Sequence, residues 1–294
     1  MQMNAPIKLA TQESMSKVTN HLVQLQELML ARAERETAMP GGQLKQLDEA
    51  IQALLNELPD EVQTTFSRML NKHPLAIVPT GGKTCSACGL GLPISLVQSV
   101  RVGDHLQTCP SCGRYLYYSD QAPRRPAAAK GRRRDTTPKV GLERFSAESL
   151  MIPRLEATDQ EGALAEICHR LHDEAYVDQY DRLYEEALKR EAIVSTAVDH
   201  GLAFPHVRGV EGGGLTLALA ISEKGIRFGG PSRTLTRILF FMVIPTAASA
   251  FYLKLLAGLT QTFRKEDARK KLMAAKTPEA LWKALLKATK GTIS

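Results

Sequence analysis

"KREAIVSTAVDHGLAFPHVR", residues 189–208, places a histidine directly after a proline and an arginine two positions further on. Proline cannot donate to a central sheet ladder, so Pro205 marks a strand end. A strand end is a place to display the His206 imidazole to solvent. A packed core histidine, a metal ligand and a nucleophile are the three readings open to it. A metal site needs further convergent ligands, and His169, His172 and His200 are not at recognised spacings. No nucleophile-elbow motif accompanies it.

Outward from this stretch, the second half of the chain alternates between elements. Strand patterns fall at "GLAFPHV", "LTLALAIS" and "ILFFMVI". Helical patterns fall at "TDQEGALAEICHRLHDEA", which opens with a capping-box-like Thr158 and Glu161, and at "DQYDRLYEEALKREA". Three more close the chain, at "AFYLKLLAGLTQTF", "KEDARKKLMAA" and "TPEALWKALLKA". Mixed strands and helices of this number predict an α/β fold over 142–294, a three-layer sandwich around a mixed sheet.

The first half reads differently. Val18, Leu22, Leu25, Leu28 and Met29 recur at helical spacing, and "MPGG" (39–42) breaks that helix. A second stripe runs through Leu44, Leu47, Ile51, Leu54, Leu55 and Leu58, and a third short helix ends before Pro74. Residues 1–75 are therefore expected to form a helical hairpin or short coiled coil. Residues 76–120 hold Cys85-x-x-Cys88, then 20 residues, then Cys109-x-x-Cys112. Two cysteine pairs, each followed by glycine, suit a closed tetrahedral shell of thiolates, so a structural zinc is expected. "GLPISLVQSVRVG" and "RYLYYS" in this segment alternate enough to be strands.

The chain of 294 residues carries a net charge of +7. Residues 121–139 hold seven Lys or Arg against one Asp, so most of the excess lies in one proline-containing stretch. Residues 121–141 read as a flexible basic linker. No apolar run has the length of a membrane span, and no basic start followed by an apolar core marks export, so membrane insertion is not expected and the cytoplasm is the expected compartment.

Two resemblances follow from these residues. The helical hairpin and the two cysteine knuckles resemble the four-cysteine zinc-ribbon, coiled-coil proteins of bacteria. That likeness implies an adaptor module for a protein target, such as transcription or secretion machinery. The stretch 189–208 resembles the active-site segment of fructose/mannitol-type and nitrogen-related enzyme IIA domains of the bacterial phosphotransferase system. The matching residues are Arg190-Glu191, Ser195-Thr196 and Gly201-Leu202-Ala203-Phe204-Pro205-His206. The resemblance implies that His206 accepts a phosphoryl group from the phosphocarrier protein and that Arg190 stabilises it. Thr196 is a weaker candidate, either bonding the non-reacting ring nitrogen or capping the turn, and Arg208 is a second cation. Tyr252 stands where many members carry a second histidine, which favours a regulatory over a sugar-transport role. The alternative reading is a nucleic-acid-binding or transcription-associated regulator, with the ribbon and linker on DNA or RNA and a degenerate sensor domain.

The proline and charge content of residues 121–139 places the first cut of limited trypsin digestion there, releasing two stable fragments on a gel. First cleavage inside either flanking module, with 121–139 protected, contradicts the linker reading.

Overall fold

The computed structural model describes residues 12–41, 44–119, 141–209, 214–229 and 234–293. The expected linker therefore lies outside the described residues, except for its last residue. The chain divides into two compact units. In described residues, the first holds 12–33 and 44–119 and the second holds 34–41, 141–209, 214–229 and 234–293.

In the first unit, helices α1 (Gln12–Ala38, through Ala33), α2 (Lys45–Asn56) and α3 (Asp60–Lys72) bury the expected stripes. Met15, Val18, Leu22 and Leu25 pack with Ile51, Leu58, Val62 and Phe66. The same core takes in Ile77 of β1 (Ile77–Thr80), Leu106 and Tyr115 of β3 (Tyr115–Tyr118). The apolar contacts thus run across residue 75. Strand β3 lies between β1, to which it is parallel, and β2 (Gln107–Thr108), to which it is antiparallel. "ISLVQSVRV", expected within a strand, is helix α4 (Ile94–Val102). Pro93 at its N-cap and the left-handed Gly103 at its end give it helical boundaries that outweigh the alternation.

Gln26, a polar gap in the α1 stripe, is buried. Its amide oxygen accepts from the backbone N–H of Ala76 (2.7 Å) and Ile77 (3.0 Å), and its Nε2 donates to the Ile77 carbonyl (2.9 Å). One side chain therefore satisfies three buried backbone groups at the start of β1.

The second unit is a mixed α/β fold. Its six-stranded sheet runs β4 (Met151–Ile152), β8 (Thr216–Ile226), β9 (Thr236–Ile244), β6 (Leu202–Ala203), β5 (Ala197–Val198), with β7 (His206–Arg208) also on β9. The β8–β9 pair is antiparallel, whereas β4–β8, β6–β9 and β7–β9 are parallel. Helices α5 (Gln160–Asp173), α6 (Tyr180–Ile193), α7 (Ser249–Phe263), α8 (Glu266–Ala274) and α9 (Pro278–Thr289) bury their apolar faces in the common core. Ala38, in the last turn of α1, belongs to that core. The N-cap of α5 is Asp159, which accepts from Gly162 N at 2.7 Å, rather than Thr158.

The single expected strand "GLAFPHV" is split. Leu202 pairs with Ile238 and His206 with Met242, so the register continues across Phe204-Pro205 while the strand does not. Pro205 has no N–H to give, but its carbonyl accepts from Met242 N at 2.9 Å. The break keeps His206 beside the central strand β9 at the start of a new one.

Replacing Gln26 by Ala leaves two buried N–H groups and one carbonyl without this partner. The expected loss for the first unit is about 3 kcal/mol in denaturant unfolding. A loss below about 1 kcal/mol would show that these groups find other partners.

Candidate functional site

His206 and Arg208, both in β7, share one side of the strand by their two-residue spacing. Arg190 comes from the last turn of α6 and Tyr252 from the first turn of α7. The structure brings Arg190, His206, Arg208 and Tyr252 together. His206 is 1% exposed, so its expected display to solvent is corrected. Side chains cover the strand end that the sequence reading left open.

The imidazole is held from both nitrogens. Nδ1 lies 3.0 Å from the Phe204 carbonyl and 3.1 Å from the Tyr252 hydroxyl. A carbonyl only accepts, so this geometry assigns a proton to Nδ1. Nε2 then carries the lone pair of the neutral ring, and Arg190 Nε donates to it at 3.1 Å. Arg190 also donates from Nη1 to the Val194 carbonyl (3.1 Å), which fixes its fork at the end of α6. Arg208 donates from Nη1 to Ser249 Oγ (3.0 Å) and lies over the Tyr252 ring. Burial lowers the His206 pKa, and the two arginines add to this against an opposing pull from Glu34. Burial pushes the Tyr252 phenol well above its usual value, so it is a neutral hydroxyl.

Thr196 does not reach the imidazole. Its backbone N–H and hydroxyl both donate to the buried Glu191 carboxylate, each at 2.7 Å, which fixes the turn after α6. Tyr252 touches the ring at Nδ1, on the side away from Nε2.

Sequence reasoning missed Glu34 and Arg35. Glu34, near the end of α1, is buried, and its carboxylate accepts from Arg190 Nη2 (2.6 Å) and from Arg208 Nη2. Its Oε1 lies 3.1 Å from His206 Nε2. Burial opposes its ionisation, but His206, Arg208 and Arg190 outweigh it and hold the carboxyl well below the usual range. Arg35 Nη1 donates to the Ser195 carbonyl at 2.8 Å, securing the same turn. No sequence signal marked these two, since a Glu-Arg pair late in an amphipathic helix is ordinary surface composition.

A second cluster lies in the first unit. The sulfur atoms of Cys85, Cys88, Cys109 and Cys112 are all within 4.8 Å of one another. Cys85 and Cys112 are 3.9 Å apart, and Cys88 and Cys109 are 3.8 Å apart. A tetrahedral shell with metal–sulfur bonds of about 2.3 Å has edges of about 3.8 Å, so the four thiols fit a metal ion. Each pair sits on the same turn: Gly89 N donates to Cys85 O (2.8 Å) and Gly113 N to Cys109 O (2.9 Å). Both glycines have φ near +74°, the left-handed conformation that this tight turn requires. Burial raises the Cys85 thiol to about 12; at Cys88 the Leu90 N–H and neighbouring thiols outweigh burial and lower it to about 7. The fifth cysteine, Cys168, is a core residue of α5.

The second unit is thus an α/β domain in which Arg190 bonds an imidazole nitrogen and shares Glu34 with Arg208, and the first carries a four-thiol metal-binding cluster. Residues 144–288 match the family described as phosphoenolpyruvate-dependent sugar phosphotransferase system, EIIA 2, and residues 84–116 match the C4-type zinc ribbon domain. The match to the EIIA type-2 family lies in the C-terminal half of the chain. The chain is 29% identical over 122 residues to the fructose-specific EIIA component of Haloferax volcanii, covering 42% of this chain and 79% of that one. It is 27% identical over 140 residues to a nitrogen regulatory protein of Bradyrhizobium diazoefficiens, covering 47% and 90%. The nitrogen regulatory protein IIA-Ntr of Neisseria meningitidis, a crystal structure, aligns with a TM-score of 0.44 at 23% identity, covering 48% and 97%. Among the described residues, no helix is long and apolar enough to cross a membrane.

A carboxyl with a depressed folded-state pKa stabilises the fold above its unfolded value and loses that contribution as pH falls through the folded value. The stability of the second unit is therefore expected to fall with acid below the ordinary Glu range. Denaturant midpoints of the Glu34→Gln protein should fall less steeply from pH 5 to pH 3. Parallel curves for the two proteins would exclude Glu34 as the titrating group.

Proposed function

We propose that this protein accepts a phosphoryl group on His206 from the phosphocarrier protein of a phosphotransferase system. In this reading its helical and zinc-ribbon unit binds a protein target, and the function is regulatory. The observation that carries the proposal is the Nε2 atom of His206, facing Arg190 with its partner nitrogen tied to the Phe204 carbonyl. The Nε2 lone pair attacks phosphorus. The bond from phosphorus to the donor breaks, and its electron pair stays on the donor. No proton has to leave Nε2, since the ring proton is on Nδ1. The Arg190 and Arg208 donors then face the phosphoryl oxygens and balance their charge. Tyr252 supports the ring from the opposite nitrogen, a positioning role.

The relatives' names support the reading, one a sugar-system EIIA component and another a nitrogen regulatory protein. The ion in the four-cysteine cluster is proposed to be zinc, bound for structure: a closed shell of four thiolates has no open coordination position.

One zinc per chain is expected by elemental analysis of protein purified without chelator. Cys109→Ser should lose the metal and unfold the ribbon while the second unit keeps its cooperative transition. Metal-free protein with an intact ribbon would exclude the ion.

Incubation with phosphoenolpyruvate, the general enzyme and the phosphocarrier of the same organism should label the chain once. The label should be lost in mild acid and kept in base, as an N–P bond requires. His206→Gln, which keeps volume at this buried position, should abolish it. Arg190→Lys should slow it by about tenfold or more, because lysine lacks the planar fork. Tyr252→Phe should change it less, since Nδ1 keeps the Phe204 carbonyl. A wild-type protein never labelled, or a label surviving in His206→Gln, overturns the assignment.

A further inference from the structure

We propose that Glu34 is an internal competitor for the phosphoryl group, a carboxylate that closes the His206 site until the end of α1 withdraws; this rests on the phosphoryl-acceptor reading. The carboxylate takes one donor from Arg190, which itself donates to Nε2, and one from Arg208. Its Oε1 is 3.1 Å from Nε2 itself. A phosphorus atom bonded to Nε2 would lie inside that distance, so the carboxylate and the phosphoryl group exclude each other. The overlap is chemical as well as steric, because both are oxyanions that need the same guanidinium donors.

Arg190 Nε donates to Nε2 with Glu34 in place, so the ring keeps its lone pair and the carboxylate blocks it by lying on the path of an incoming phosphorus.

The end of α1 is built to hold this position. Within the second unit, Glu34 bonds Arg190, Arg35 bonds the Ser195 carbonyl, and Ala38 is in the core. These residues lie in the last five of the helix, so unwinding or withdrawing that turn removes the carboxylate and leaves the sheet intact. A phosphoryl group carries about −1.5 to −2 charge and three acceptor oxygens. Once formed, it outcompetes a single carboxylate for the two arginines. The end of α1 thus has two states, and the phosphorylation state of His206 selects between them.

The test uses the full chain with isotope-labelled histidine, the His206 ring signals being assigned with His206→Gln. Inorganic phosphate is titrated as the anion probe, and phosphocarrier-dependent labelling rates are measured beside it. Glu34→Gln is expected to bind phosphate about tenfold more tightly than the wild type and to label about tenfold faster. Arg35→Ala, which keeps the carboxylate but loosens its turn, should move both in the same direction by less; it carries the test if Glu34→Gln does not fold. Phosphate affinities and labelling rates that agree within about twofold in all three proteins overturn the competitor. A rise in phosphate affinity with no labelling of any form supports Glu34 as the occupant of the anion site and removes the phosphocarrier reading. Labelling of the wild type as fast as Glu34→Gln, at equal phosphate affinity, keeps that reading and removes the competitor.

Discussion

Two guanidinium groups buried beside an imidazole cannot stand without an anion. Taking a charge out of water costs several kcal/mol per ion unless a partner and hydrogen bonds offset it. Arg190 and Arg208 are only 11% and 12% exposed, and both find that partner in Glu34. The arrangement follows from the strand break at Pro205. Because the register on β9 continues through the break, His206 and Arg208 stay aligned with the end of α6. The Phe204 carbonyl, two residues back, fixes the ring. The two buried guanidinium charges are balanced by a carboxylate that the chain itself supplies.

The first unit meets a similar constraint with a different device. Its strands are short, two to four residues, and bury little area on their own. Two matched turns bring the four thiols together, and Gln26 fixes the start of β1 by three backbone bonds. The leucine stripes then complete a core that includes the strand residues Ile77 and Tyr115. A four-thiol cluster that fits a metal ion and a buried amide fix points that a sheet of this size cannot fix by area.

The sequence by itself determined what depends on local pattern and residue chemistry. Alternating elements gave the α/β class of the second half, because a run such as "ILFFMVI" has one plausible environment, a buried strand. The cysteine spacing located the metal cluster, because a two-residue gap followed by glycine is itself the turn. Pro205-His206 and Arg190 stood out through a motif resemblance, and the structure brings Arg190 onto the His206 ring. Local pattern failed at residues 94–102, where alternation suggested a strand and Pro93 and Gly103 made a helix. Only the tertiary structure decided that His206 is buried, that Thr196 serves Glu191, and that Glu34 faces Nε2 from 172 positions away in the sequence. A charge on a helix surface and a charge that neutralises two buried arginines have the same local sequence. The difference lies in which surface folds over it, and no spacing along the chain encodes that.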